Sequence, residues 1–161
     1  MTTLTTREID PLALEHQVCF ALATTNRAVL AVYRPLLEPL GLTHPQYLVM
    51  LALWDHRKAA NESPLSVKQI ATALQMESAT LSPMLKRLEG LGLITRAKNV
   101  VDERSTDVTL TERGIALRER ALEIPPAVVE RLGVELTELE NLHQVLTRIN
   151  AAAVAAGALQ S

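Results

Sequence analysis

Cysteine is nearly missing: Cys19 is the only one in 161 residues. A disulfide scaffold needs pairs, and a zinc site built on several thiolates needs more sulfur than this. Cys19 is therefore a buried structural thiol, a reactive nucleophile or a redox sensor. Aromatic residues are also scarce, at 2%: Phe20, Tyr33, Tyr47 and Trp54. That scarcity disfavours the base-stacking platforms that grip single strands. No charge excess exists either, with 16 Lys+Arg against 18 Asp+Glu and a net charge of −2. A polycation that coats nucleic acid is excluded, while a local basic patch is not. The longest strongly apolar run, Tyr47 to Trp54, falls far short of the ~18 residues of a membrane span. The N-terminus has Arg7 as its only basic residue and no apolar core after it, unlike a signal peptide. The expectation is a cytoplasmic protein with no membrane partner. At 48% hydrophobic and 21% charged residues, the chain suits one globular domain plus an oligomerisation element.

What is present is a series of helix signals. Asp10-Pro11 places an N-cap residue before a proline. Leu14, Val18, Cys19, Leu22, Val29 and Val32 then recur at helical spacing, until Glu38-Pro39-Leu40-Gly41 ends the segment. Thr43-His44-Pro45-Gln46 reads as a capping box, opening a helix that buries Leu48, Leu51 and Trp54 or their neighbours. A polar loop over 57–64 leads to a second capping box, Ser66 to Gln69, and a short helix through Leu74. From Ser78 to about Leu91, Leu81, Leu85 and Leu88 form a buried stripe that Gly90 and Gly92 stop. Leu93–Arg96 and Asp107–Leu110 have strand character and read as a hairpin with a long polar tip. Thr111 caps a further helix, broken at Pro125-Pro126. Thr137 to Glu140 is a third capping box, opening a terminal helix that fades into the Ala-rich 151–158 stretch. No internal repeat is evident. The fold class is mainly α with a small β-hairpin.

Residues 66–110 thus run helix, short turn, helix, hairpin. That is the plan of a winged helix-turn-helix, whose second helix enters the major groove while the hairpin reaches the adjacent backbone or minor groove. Opposite its leucine stripe, the helix from Ser78 presents Thr80, Ser82, Lys86 and Arg87, with Pro83 near its first turn. Hydroxyls and the helix N-terminus can meet phosphates or base edges, and the two cations can neutralise phosphates. Alone, such a pair usually just solvates a helix face; the ordered sequence of cap, turn, helix and wing favours DNA. Arg104, at the hairpin tip, is the candidate minor-groove probe, since a narrow groove attracts guanidinium. Asp102 is expected to brace the wing through Arg104 or a neighbouring backbone group.

Ser78-Ala79-Thr80-Leu81-Ser82-Pro83-Met84-Leu85-Lys86-Arg87-Leu88-Glu89, Gly92-Leu93-Ile94-Thr95-Arg96, Asp102-Glu103-Arg104 and Leu110-Thr111 resemble the MarR family of bacterial repressors. Gln17 to Leu22, Tyr33-Arg34-Pro35-Leu36-Leu37 and Leu42 to Leu48 are similar to its organic-hydroperoxide-sensing, OhrR-type branch in the one-cysteine form. The match runs from about residue 12 to 150. It implies a homodimer that straddles a near-palindromic operator in double-stranded DNA. Residues 1–40 then form the N-terminal dimerisation and sensor helix, 41–112 the DNA-binding domain, and 113–161 the C-terminal dimerisation helices. The resemblance also implies a repressor, not an enzyme, that needs no cofactor and is released when Cys19 is oxidised. In the family, tyrosines of the partner subunit donate hydrogen bonds to the reactive thiolate. Tyr33 stands at one such position; His44 occupies the second.

Sensing needs a thiolate, because the thiol is nearly inert and a free cysteine titrates near ~8.5. Tyr33 can donate to that anion, and so can a ring N–H of His44, which a helix N-terminus should keep neutral. Tyr47 can contribute or simply pack in the core. The first product is a sulfenic acid. With no second cysteine, the expected end states are a mixed disulfide with a small cellular thiol, or overoxidation. His16, His56 and His143 lie on different segments, so no metal site is expected. Three other readings stay open. A MarR-type repressor controlled by a small-molecule ligand would leave Cys19 incidental. A thiol peroxidase would turn over with a reductant, and a helical interaction module would not bind DNA.

Overall fold

A computed structural model describes residues 10–59 and 63–158. Seven helices and a small sheet are described: α1 (Val18–Leu37), α2 (His44–Lys58), β1 (Leu65–Ser66), α3 (Val67–Leu74), α4 (Ser78–Gly90), β2 (Ile94–Lys98), β3 (Thr106–Leu110), α5 (Glu112–Ala121), α6 (Ile124–Leu132) and α7 (Leu136–Ala155). The two inner capping boxes form as read. Thr43 Oγ1 accepts from the Gln46 amide while Gln46 Oε1 accepts from the Thr43 amide. Ser66 and Gln69 repeat the exchange at α3. Thr111 Oγ1 accepts from Gly114 N at the start of α5.

The sheet has three strands, in the order β1-β3-β2, all antiparallel. The expected hairpin is therefore joined by a two-residue strand that carries no readable alternation. Three helix starts also differ from expectation. Asp10 Oδ1 takes the Leu12 amide in a turn, a 3₁₀ segment spans Leu14–His16, and α1 begins only at Val18. Thr137 lies inside α7, which starts at Leu136 with no side-chain cap. Pro125-Pro126 opens α6, where missing N–H groups cost nothing, rather than merely breaking α5. The 57–64 loop is shorter than read, since α2 continues to Lys58; residues 60–62 lie outside the described residues.

Leu81, Leu85 and Leu88 of α4 meet Ile70 of α3, Val49, Met50, Leu53 and Trp54 of α2, and Ile94 and Val108 of the sheet in one core. On α2 the buried face runs through Tyr47, Met50 and Trp54, and Leu51 points outward. The Trp54 indole donates to the Gly114 carbonyl at 2.9 Å and fixes α5 on α2. α1 packs on α2 and α6 through its C-terminal half only, and Leu37 is its one buried residue. Val18, Phe20 and Leu22 at its other end stay exposed. α7 buries no residue at all, and it exposes Leu142, Val145 and Ile149 along one stripe. Its described side-chain link to the winged core is a reciprocal amide pair, Gln75 with Asn150, at 2.9 Å in each direction.

Candidate nucleic-acid interface and thiol site

α3 ends at Gln75 in a left-handed conformation (φ 51°), and Met76-Glu77 completes a turn of three residues into α4. The leucine stripe turns Ser78, Thr80, Ser82, Pro83, Lys86 and Arg87 to the opposite, exposed side. Pro83 is the sixth residue of α4, a turn later than the sequence reading placed it. The Ala79 carbonyl thereby loses its helical donor, and Ala79 is exposed, so water can take its place.

A groove runs between α4, the start of α3 and the wing, lined by Lys68, Ser78, Ser82, Arg96, Asp102 and Arg104 among others. Lys68 and Arg96 escaped the sequence reading because one opens a short helix and the other lies in a strand. Arg96 ties the wing to α4. Its amide donates to Glu89 Oε2 at 2.9 Å, and its Nη2 to Oε1 at 3.1 Å. The guanidinium hydrogen bond from Arg96 holds the Glu89 carboxyl below the usual range.

The wing tip is organised by side-chain amide and carboxylate. Asn99 Oδ1 accepts from the amides of Val101 (2.8 Å) and Asp102 (2.9 Å), and Asn99 Nδ2 donates to Asp107 at 2.9 Å. Asp102 Oδ1 accepts from the Arg104 amide at 3.0 Å, which leaves the guanidinium free of that carboxylate. Asn99 was missed; an asparagine that opens a polar hairpin tip is the signal that marks it.

At the other end of the molecule, Tyr33, His44 and Tyr47 converge where α1 passes the start of α2. The Tyr33 and His44 rings lie edge to face with centroids 4.9 Å apart. Tyr47 stands 6.1 Å from Tyr33 and 6.2 Å from His44. Burial raises both phenols, Tyr47 additionally through the Tyr33 charge, and lowers His44. At neutral pH the cluster therefore offers two O–H donors and a neutral imidazole. Burial beneath the tyrosines supplies the cause for His44, in the same sense as the helix N-terminus invoked from sequence.

Cys19 is not part of this cluster. It is exposed, the second residue of α1. Fourteen residues of one continuous helix separate it from Tyr33, about 21 Å along the axis. A chain cannot bring its own Tyr33 to its own Cys19 while α1 stays intact. Among the described residues no group of His, Cys, Asp and Glu could hold a metal, and no helix is long and apolar enough to cross a membrane.

A MarR family model matches residues 42–106, from just before α2 to the start of β3. The organic hydroperoxide resistance transcriptional regulator of Bacillus subtilis is 41% identical over 148 residues, which cover 85% of this chain and 97% of that protein. This chain belongs to the MarR family. Solved MarR-type structures agree with the fold. Reduced AbfR bound to DNA superposes with a TM-score of 0.74 at 32% identity, over 88% of this chain and 93% of that one. Overoxidised AbfR bound to DNA gives 0.64 at 33% identity, over 84% and 95%; AbfR comes from Staphylococcus epidermidis.

Proposed function

We propose that this MarR-family chain is a homodimeric, cytoplasmic DNA-binding repressor that senses organic hydroperoxides through Cys19 and leaves its operator on oxidation. The observation that carries this reading is the separation of Cys19 from its donors. The lone thiol sits on an exposed apolar helix end, Val18, Phe20 and Leu22 around it, about 21 Å from Tyr33. A second copy packed on that end, joined also through α7, supplies what one chain lacks: the partner subunit's Tyr33 and the partner subunit's His44 beside Cys19. The hydroperoxide-resistance name of the 41% identical relative supports the same signal.

In this reading residues 1–40 and 113–161 carry the dimer contacts and residues 41–112 the DNA contacts. Ser78, Thr80, Ser82 and Pro83 lead α4 into the major groove, and Lys86 and Arg87 meet phosphates. Arg104 enters the minor groove, with Asp102 bracing the wing. Arg104→Ala is expected to weaken operator binding about tenfold and to lower the salt slope by about one. A fluorescence anisotropy titration at several salt concentrations measures both.

The Cys19 thiolate attacks one peroxide oxygen, an S–O bond forms, the O–O bond breaks, and the departing alkoxide takes a proton to become an alcohol. The resulting sulfenic acid condenses with a small cellular thiol; an S–S bond forms and water leaves. A relative seen on DNA while overoxidised supports assigning release to the bulk of the mixed disulfide rather than to added oxygens alone. Intact mass of the oxidised protein with cellular thiol present tests this step. A sulfenic acid that persists there would contradict it. Tyr33→Phe removes one donor to the thiolate and is expected to slow Cys19 oxidation about tenfold, read from loss of free thiol with time.

A further inference from the structure

Val100 and Val101 are 98% and 95% exposed, more than any other large apolar side chain among the described residues. They stand side by side on the wing tip, and neither has a role in the release mechanism. Their backbone is not loose. Asn99 accepts from the Val101 amide and the next one, and Asn99 and Ser105 close the loop by an N–H to carbonyl bond of 2.9 Å. The two side chains are thus displayed on a preformed turn, and β-branching leaves them little rotamer freedom to lose on contact.

Charge seats this tip on DNA through one side chain alone. Arg104 is the single cation of residues 99–105, against Asp102 and Glu103. The groove between α3, α4 and the wing is lined by Asp102 and Arg104 of this tip, and the valines directly precede Asp102 in the same turn. With two carboxylates beside that guanidinium, an uncharged contact would add to its hold on the wing. Aliphatic surface against the sugar walls is such a contact, and apolar side chains do serve in minor grooves.

We propose that Val100 and Val101 form an apolar lip that packs in the minor groove beside Arg104 and selects A·T-rich flanks. The proposal rests on the DNA-binding reading above. Selection follows from chemistry: a G·C pair adds the guanine N2 amino group to the groove floor, and a dry aliphatic surface cannot satisfy it.

The experiment compares wild type, V100S/V101S and V100L/V101L as full-length reduced dimers. The operator is taken from a footprint on the chain's own promoter, with A·T, G·C or I·C pairs where the wing lands. Inosine lacks the N2 amino group. Wild type is expected to prefer A·T and I·C over G·C. The serine pair is expected to lose about tenfold on A·T and I·C, to show a smaller G·C penalty, and to keep the salt slope. The leucine pair should retain affinity. Unchanged affinity and unchanged base preference in V100S/V101S would overturn the lip. So would a salt slope lower by about one, which means that the serines act by displacing Arg104. If Arg104→Ala also leaves affinity and slope unchanged, the wing reading itself fails; if wild type shows no specific binding, the DNA reading fails and the lip with it.

Discussion

V145D/I149D is expected to convert the dimer to a monomer and to weaken operator binding by on the order of a hundredfold or more. α7 is 20 residues long and buries none of them within its own chain. Leu142, Val145 and Ile149 fall at i, i+3 and i+7 and face one way, exposed to 47%, 41% and 46%. An apolar stripe of that kind, on a helix whose described side-chain link to its own chain is the Gln75–Asn150 amide pair, is stable only against a partner. Two carboxylates in its middle would be buried without counterions in the dimer, so dissociation relieves them. Each half-site contact then forms alone, and the gain from linking two binding events is lost. Sedimentation reads the mass. Trp54 fluorescence reports the winged core, since Trp54 is buried there and hydrogen-bonded to Gly114. A dimer that persists in the variant would contradict this role for α7.

Gly114→Ala is expected to cost about 2 kcal/mol, the upper end of the ~1–3 kcal/mol range for overpacking a tight site less about 1 kcal/mol for the better helix propensity of alanine. Gly114 sits in the first turn of α5 at a junction of three elements. Its carbonyl takes the Trp54 indole, and its amide donates to Thr111 Oγ1. A Cβ there would collide with the Leu93 carbonyl oxygen and press on Leu110 Cδ2 at 3.2 Å. The backbone oxygen cannot swing aside, because it accepts the Thr111 amide at 3.1 Å. α5 must then move off the sheet and pull on the bond to Trp54. A thermal midpoint lower by roughly 4–8 °C at fixed protein concentration is the expected reading. An unchanged midpoint would mean that α5 shifts without cost.

Much of the winged domain was legible because its boundaries are written in local chemistry. Thr43/Gln46, Ser66/Gln69 and Thr111 each announce a helix start by residues three apart, and Leu81, Leu85 and Leu88 fix which side of α4 is free. What was not legible depends on distant partners. β1 is only two residues paired with β3. The Trp54–Gly114 bond joins residues 60 apart. Thr137 has capping chemistry, yet α7 begins two residues earlier than that cap requires. Asp10-Pro11 likewise promises a helix where a turn and a 3₁₀ segment form first.

The candidate site divides in the same way. The exposed row from Ser78 to Arg87 follows from helical periodicity. The grouping of Tyr33, His44 and Tyr47 depends on how α1 crosses α2, and only the family resemblance suggested it. For Cys19 the missing information lies outside the chain altogether, since its own aromatic cluster is a helix length away.

The most direct measurement is a titration of the chain's own promoter fragment with wild type and Cys19→Ser. Each is measured reduced, then again after an organic hydroperoxide with a small thiol present. Both proteins are expected to bind tightly when reduced, and only wild type should lose affinity on oxidation, by on the order of a hundredfold as the two wings leave register. Tight binding by both proteins that neither loses would contradict peroxide sensing at Cys19 and leave a ligand-controlled repressor in its place.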